Sequence, residues 1–246
     1  MRSVSIKLLK VRKNSRRKYI GRSSNGRTTD SESVYLGSNP SLPANQMRNW
    51  YKQKILPRLL NSTMGKVEFE KLRPAVIEKA KGVVLEIGVG AGHNLPLYKN
   101  IQKLYGLEPS KELTEIAKKQ SVSVPIEFLE TGAEQIPLLD ESVDTVVSTW
   151  TLCSVSNPER VLSEIRRVLR PGGSFVFIDH GASPSLFVRM AQKVLTPITR
   201  YFTGNCHMDR DIEQLLKEAG FSFDPLKHPR ESLKPLIYNY EGVALK

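Results

Sequence analysis

The sequence is poor in cysteine, in long apolar runs and in repeats, and each shortage narrows what it can be. Only Cys153 and Cys206 occur among 246 residues. Far apart and outside any C-x-x-C spacing, they predict neither a disulfide framework nor a metal site and point to a reducing, cytoplasmic setting. No apolar run approaches the ~18 residues that a membrane span needs, and the basic N-terminus lacks the apolar segment of a secretory signal. No internal repeat is visible. With 39% apolar and 25% charged residues, the chain reads as one globular domain with an appendage, large enough to bury a core without staples.

The basic excess is confined. Ten of the 37 Lys and Arg, against Asp30 and Glu32, lie in residues 1–46, so this arm carries +8 of the net +12 and residues 47–246 only +4. Within it, "GRSSNGRTTDSESVYLGSNPS" (21–41) has too little apolar content to offset the entropy of ordering it, which predicts a disordered basic arm. One reading of the arm is a grip on nucleic acid. A second starts from its codons: Gly37-Ser38-Asn39-Pro40 can be encoded as GGT-TCG-AAT-CCC, which resembles the T-arm of a transfer RNA gene. The arm then resembles a conceptual translation of such a gene, and Met47 is the expected start.

From Met47 the texture changes. Apolar residues at helical spacing, interrupted by Pro57 and Pro74, predict two short helices. "VVLEIG" (83–88), "KLYGLE" (103–108), "IEFLE" (126–130), "VDTVVSTW" (143–150) and "SFVFIDH" (174–180) read as strands. Helical patterns lie between them over 91–99, 110–119 and 157–170, the last opened by Asn157 and Pro158. This alternation predicts an α/β fold with a mostly parallel sheet and helices on both faces. After the helix "DIEQLLKEAG", "FSFDPLKH" and "PLIYNYEGVAL" predict an antiparallel C-terminal pair joined near Pro229 to Pro235.

The chemistry concentrates in "VVLEIGVGAGHN". A strand runs into Gly88, Gly90 and Gly92, where glycine lets the backbone turn sharply and approach a ligand closely. The helix expected next would offer unpaired N–H groups. Glu108 ends the second strand, where a carboxylate can accept both ribose hydroxyls of a nucleoside. The dinucleotide pattern G-x-G-x-x-G fails, because its last position falls on His93. Glu86, beside the loop, would oppose a pyrophosphate and suits a cationic ligand such as S-adenosyl-L-methionine, which carries a sulfonium and an amino group.

On these residues the chain resembles the class I S-adenosylmethionine-dependent methyltransferases over most of residues 66–246. "VLEIGVGAGHN", "LYGLEPS", "TGAEQIPLLDESVDTVVSTWTLCSV" and "LSEIRRVLRPGGSFVFIDH" are similar to that family's successive motifs. The resemblance implies a Rossmann-like seven-stranded methyltransferase sheet. It also implies that Glu86, Gly88, Gly90 and Gly92 line the methionine and ribose side, with Glu108 on the ribose. Pro109 and Ser110 would flank the adenine, Ala133 and Glu134 would lie near its edge, and Thr149 and Trp150 would close the pocket. Thr131-Gly132-Ala133 departs from the Gly-Asp-Ala of many relatives, so a backbone group or Glu134 must serve the adenine amino group. "STWTLCSV", "GNCHMDRDI" and "PLIYNYEGVALK" are similar to the methyltransferase-like thiol methyltransferases, which act on small alkyl thiols. Related motifs also occur in phospholipid and quinone methyltransferases.

The expected activity is therefore methyl transfer to a small or lipophilic acceptor, with a thiol among the candidates. A thiol acceptor needs a base or a thiolate-stabilising setting, for which His180 (at the end of the fifth strand) and His207 are the candidate catalytic residues. Cys153 reads as a packing residue, and Asp211 as a helix cap. The segment 181–208 reads as a lid, a lipid-touching surface helix or a helix packed on the domain. The alternatives are an RNA methyltransferase and a non-catalytic S-adenosylmethionine-binding regulator. Against RNA stand the +4 charge of residues 47–246 and "STWTLC" in place of N/D-P-P-[YF] after the fourth strand. Oligomeric state is left open.

Overall fold

The computed structural model describes residues 51, 55–229 and 237–246. The arm expected over 1–46 and the turn expected after Pro229 lie outside the described residues. Two helices come first, α1 (Leu56–Met64) and α2 (Val67–Ile77). Pro57 sits in the first turn of α1, where its missing N–H costs nothing, while Pro74 lies inside α2.

A single seven-stranded sheet follows in the order β3-β2-β1-β4-β5-β7-β6. Its strands are β1 (Val83–Ile87), β2 (Lys103–Leu107), β3 (Ile126–Leu129), β4 (Val143–Thr149), β5 (Leu169–His180), β6 (Ser222–Phe223) and β7 (Asn239–Leu245). β1 to β5 pair in parallel, and β7 runs antiparallel to both β5 and β6. The remaining helices are α3 (Lys111–Ala117), α4 (Pro158–Val168), α5 (Leu186–Phe202) and α6 (Ile212–Glu218). Ser110, Asn157 and Asp211 cap α3, α4 and α6 with side-chain oxygens that accept the Leu113, Arg160 and Gln214 N–H groups.

Side chains alternate across the central strands. Leu85, Val146, Phe175 and Phe177 pack with Val161 and Ile165 of α4 and Ile212 and Leu216 of α6. Val84, Val147, Val176 and Ile178 pack with Phe69, Val76 and Ile77 of α2 on the other face. Buried on both sides, these strands read as continuous apolar runs. Each large apolar residue so buried contributes about 1.5–3 kcal/mol. The period of two also sends Glu86 to the α2 face, between Leu85 and Ile87.

Two expectations need correction. The helix expected over 91–99 is one 3₁₀ turn, Leu95–Leu97. Pro96 has no N–H for the Gly92 carbonyl, which accepts the Leu95 N–H at 3.0 Å in the tighter pattern instead. β5 begins at Leu169 rather than 174, because a register shift absorbs Pro171-Gly172-Gly173: Val143 pairs with Leu169, and Thr145 already with Ser174.

Candidate functional site

Strand order reverses between β1 and β4, since β1 is followed in sequence by β2 on one side but borders β4 on the other. Ligands of such sheets bind outside the carboxyl ends of the strands at this point. The loop after β1 stands there. Gly88, Gly90 and Gly92 all have left-handed backbones, with φ of +67°, +58° and +82°. They differ in what a side chain would meet. A Cβ on Gly88 would collide with Thr151 Oγ1, and one on Gly92 would lie 3.0 Å from Ala117 Cα. At Gly90 the nearest atom is 3.9 Å away, so this glycine faces open space. Gly88 and Gly92 therefore shape the loop, and Gly90 leaves a cradle beside it.

Beneath the loop lies a buried polar network. Asn94 Nδ2 donates to Glu86 Oε1 at 2.6 Å and to Thr149 Oγ1 at 2.9 Å, and Asn94 Oδ1 accepts from Arg73 Nη1 at 2.7 Å. Arg73 also donates to the Met64 carbonyl at 2.9 Å. The second oxygen of Glu86 and the Tyr98 hydroxyl are both buried without a hydrogen-bond partner. The two groups act on one another all the same: the hydroxyl lowers the carboxyl's pKa, and burial with the carboxyl pushes the hydroxyl's well up. Burial raises the Glu86 carboxyl to about 7, against the hydrogen bond from Asn94, the Tyr98 hydroxyl and the positive charge of Arg73. A cation placed at Glu86 Oε2 would satisfy the orphaned oxygen and draw the carboxyl into its ionised form.

Glu108 follows β2, buried. Its Oε2 accepts the Gly90 N–H at 3.0 Å and its Oε1 the Ser110 N–H at 2.9 Å. Burial raises its pKa, while the Ser110 and Gly90 hydrogen bonds lower it. The carboxylate thus fixes the glycine loop and retains lone pairs for further donors. Pro109 and Ser110 lead from it into α3. Ala133 belongs to the core on the α4 face. Glu134 turns to the loop after β4, its Oε1 accepting the Ser156 N–H at 3.2 Å.

Thr149 ends β4 within the Asn94 network. Trp150 follows with φ +52°, a strained value for a bulky residue. Its N–H donates to Ile178 O at 2.7 Å, and its Nε1 to Asn239 Oδ1 at 3.1 Å. Its ring meets Phe69 edge-on at 4.8 Å, with the Arg73 guanidinium 5.2 Å from its centroid. These contacts hold a backbone turn that separates the loop after β4 from the sheet.

The end of β5 brings together residues that lie far apart in the sequence. Cys153 and Cys206, taken as distant and without metal spacing, meet with their sulfurs 3.5 Å apart. His180 Nδ1 lies 3.3 Å from Cys206 Sγ and 3.9 Å from Cys153 Sγ. Hydrogen bonding to Cys206 and burial push the Cys153 thiol well up. Asp179, wholly buried, accepts from Ser148 Oγ at 2.8 Å and from the Cys153 N–H at 3.0 Å. His207 lies with Nδ1 3.9 Å from Asp209, its pKa lowered by burial and by Arg210. The candidate base His180 is therefore engaged with two thiols, while His207 lies near a carboxylate beyond hydrogen-bond distance.

Arg73, Asn94 and the meeting of the two cysteines escaped the sequence reading of the site, whereas Asp179 ends the fifth strand beside His180, where ligands were expected. Asn94 sits in the motif "GVGAGHN" and could have been found there. Two cavities of about 450 and 530 Å³ lie elsewhere, one near Ser156 and Arg210 and one near Pro74 and Tyr98. Neither includes the glycine loop, and the chemistry of the loop weighs more than their size. Among the described residues no helix is long and apolar enough to cross a membrane.

Residues 85–177 match the family described as Methyltransferase domain. Human thiol S-methyltransferase TMT1A is 32% identical over 183 residues, covering 70% of this chain and 75% of the relative. A phosphatidylethanolamine N-methyltransferase from Cereibacter sphaeroides is 33% identical over 159 residues, covering 62% and 77%. Among solved structures, a possible histamine N-methyltransferase from Thermotoga maritima is 25% identical with a TM-score of 0.51, covering 82% of this chain and 95% of that one.

Proposed function

The chain belongs to the class I S-adenosylmethionine-dependent methyltransferases, and from that premise we propose that it methylates a small lipophilic thiol. The observation that carries the cofactor half is the buried Glu86 Oε2, which accepts no hydrogen bond, on the strand that runs into the open Gly90 cradle. A carboxylate oxygen left free to accept suits a positively charged amino group better than a phosphate. Glu86, Gly88, Gly90 and Gly92 would hold the methionine and ribose end, Glu108 the ribose, and Pro109 and Ser110 the adenine, with Ala133 and Glu134 near its edge. When bound, S-adenosylmethionine supplies an electrophilic methyl on a sulfonium. The chain has to orient the acceptor in line with that methyl; in favourable cases such positioning is worth about 7–11 kcal/mol.

The acceptor half rests on the likeness to the thiol S-methyltransferase, which runs well beyond residues 85–177. The similar share covered in a phosphatidylethanolamine N-methyltransferase makes an amine the second reading. Incubating the protein with labelled S-adenosylmethionine and separate thiol, amine and phenol panels tests the choice. Label in the thiol product alone supports the proposal, and label in amines alone overturns it.

We further propose that α5 rests on an anionic lipid surface. Its inward side carries the buried Gln192 and Thr196, while Phe187, Met190, Val194 and Ile198 are exposed, Phe187 by 87%. Half-buried Val188 and Leu195 accompany Gln192 and Thr196 inward, so apolar residues stand on the outward side of the helix as well as the inward one. The helix also has Arg189, Lys193 and Arg200 and no acidic residue, which complements negative headgroups. Co-sedimentation with anionic vesicles, lost in Phe187→Asp/Val194→Asp, is the expected result. Equal binding to neutral vesicles, or a concentration-dependent dimer without vesicle binding, would contradict it.

A further inference from the structure

We propose that Cys153, Cys206 and His180 form a site for a thiophilic divalent cation of the zinc class, with one coordination position left for the sulfur of the acceptor thiol. The second half of this proposal rests on the thiol reading above. The first half stands on geometry alone.

Three donors from three separate segments converge: Cys153 from the loop after β4, His180 from the end of β5, and Cys206 from the loop after α5. Their ligand atoms all lie within 4.8 Å of one another. Metal–sulfur and metal–nitrogen lengths of about 2.3 and 2.0–2.1 Å at tetrahedral angles require about 3.8 Å between sulfurs and about 3.6 Å between sulfur and nitrogen. The observed separations are 3.5 Å between sulfurs and 3.3 and 3.9 Å to Nδ1. A shift of a few tenths of an ångström per ligand converts one set into the other.

The loops are already strapped together for this purpose. The His207 N–H donates to the Cys153 carbonyl at 2.8 Å, and Asn205 Nδ2 to the Ser154 carbonyl at 2.9 Å. Asp179 fixes the Cys153 backbone from below at 3.0 Å. Arg210, bonded to the Leu152 and Val155 carbonyls, is favourably placed toward ionised cysteines. Two thiolates and one imidazole around a divalent ion sum to zero charge, which a buried site tolerates.

The set of two sulfurs and one imidazole selects a soft or borderline cation over magnesium or calcium. Three protein ligands with an open fourth position is the arrangement of reactive rather than structural zinc. Among the described residues no fourth Cys, His, Asp or Glu joins the group. Loading the ion displaces one proton from each cysteine. An acceptor thiol entering the fourth position loses its own proton to solvent and is held as thiolate. Its sulfur then forms the new bond to the methyl carbon, as the carbon–sulfonium bond breaks and its electron pair stays on the departing neutral thioether. No oxidant or reductant is involved. This arrangement supplies the activated sulfur without a free imidazole base, which accounts for His180 being bound up with the cysteines.

The test uses the full chain, stripped of metal under reducing conditions and titrated with cobalt(II) and zinc. The expected result is one equivalent of cobalt bound with release of about two protons per ion and a thiolate-to-metal charge-transfer band, which zinc then abolishes by displacing the cobalt. The band should be lost in Cys153→Ala and in Cys206→Ala, with circular dichroism confirming that each variant folds. A charge-transfer band that deepens when a simple alkyl thiol is added supports the open position. No thiolate band in the wild type, or a native Cys153–Cys206 disulfide in non-reduced intact mass, would overturn the site. A band unmoved by alkyl thiol would overturn its role in acceptor binding. Failure of the thiol reading itself is read separately, as an acceptor panel labelled only in amines.

Discussion

Replacing Glu86 with glutamine removes the titrating group where the cofactor is proposed to bind, while keeping its size and its acceptor for Asn94. In the free protein the carboxyl titrates at about 7 because burial disfavours its charge. A cationic ligand at Oε2 favours the ionised form, so binding and deprotonation are linked, and affinity rises with pH until the group is fully ionised. At about pH 5.5, about 1.5 units below that value, the neutral form outweighs the ionised one by about 30 to 1. Affinity for S-adenosylmethionine is then expected to be up to about 30-fold weaker than at about pH 8, with a plateau above about 7.5. Stability of the ligand-free protein should run the opposite way. A carboxyl raised from 4.5 to about 7 on folding binds its proton more tightly in the native state. Its contribution, up to about 3 kcal/mol, is therefore present at low pH and lost as pH rises through 7. Calorimetric titration across this range, on wild type and Glu86→Gln, checks both signs. The variant should bind weakly with a flat profile. A flat wild-type profile, or a variant that keeps the wild-type slope, would refute the placement of a cation at Glu86.

Other expectations follow from the same geometry. Glu108→Ala should weaken cofactor binding by about 1–3 kcal/mol, because a charged acceptor is lost, and should loosen the loop by freeing the Gly90 and Ser110 N–H groups; unchanged affinity by calorimetry would remove Glu108 from the site. Gly88→Ala and Gly90→Ala should separate folding from binding. The first drives a Cβ into Thr151 and should lower the melting temperature strongly. The second meets nothing closer than 3.9 Å and should cost only about 1–2 kcal/mol of backbone strain while abolishing cofactor binding. Asn94→Ala leaves Glu86 and Arg73 without their shared partner, and a loss of about 1–3 kcal/mol in denaturant unfolding is expected.

Much of this architecture was legible because buried parallel strands announce themselves as apolar runs. The five expected strands agree with β1 to β5 to within a residue at their C-terminal ends, where the site lies. Asn157 with Pro158, and Asp211, were equally readable as helix starts, since their side chains can act locally. The helix expected over 91–99 failed for a local reason as well: Pro96 removes the N–H that would have continued it, and Asn94 spends its side chain on Glu86 and Thr149. The rest was hidden by distance. Arg73 reads as one more cation on an amphipathic helix until the fold places it against Trp150 and Asn94. Cys153 and Cys206 carry no spacing signal, because the pairing of β4 with β5 and the return of the chain after α5 bring them together. The apolar residues of the segment 181–208 were visible, but only the structure distinguishes an inward face from an outward one.

The central claim is methyl transfer to sulfur. Its most direct measurement is mass-spectrometric product analysis after incubating the purified protein with methyl-labelled S-adenosylmethionine and a small alkyl thiol. The labelled methyl thioether is expected in amounts that scale with enzyme and vanish in Gly90→Ala. Labelled amine products with no thioether would contradict the claim.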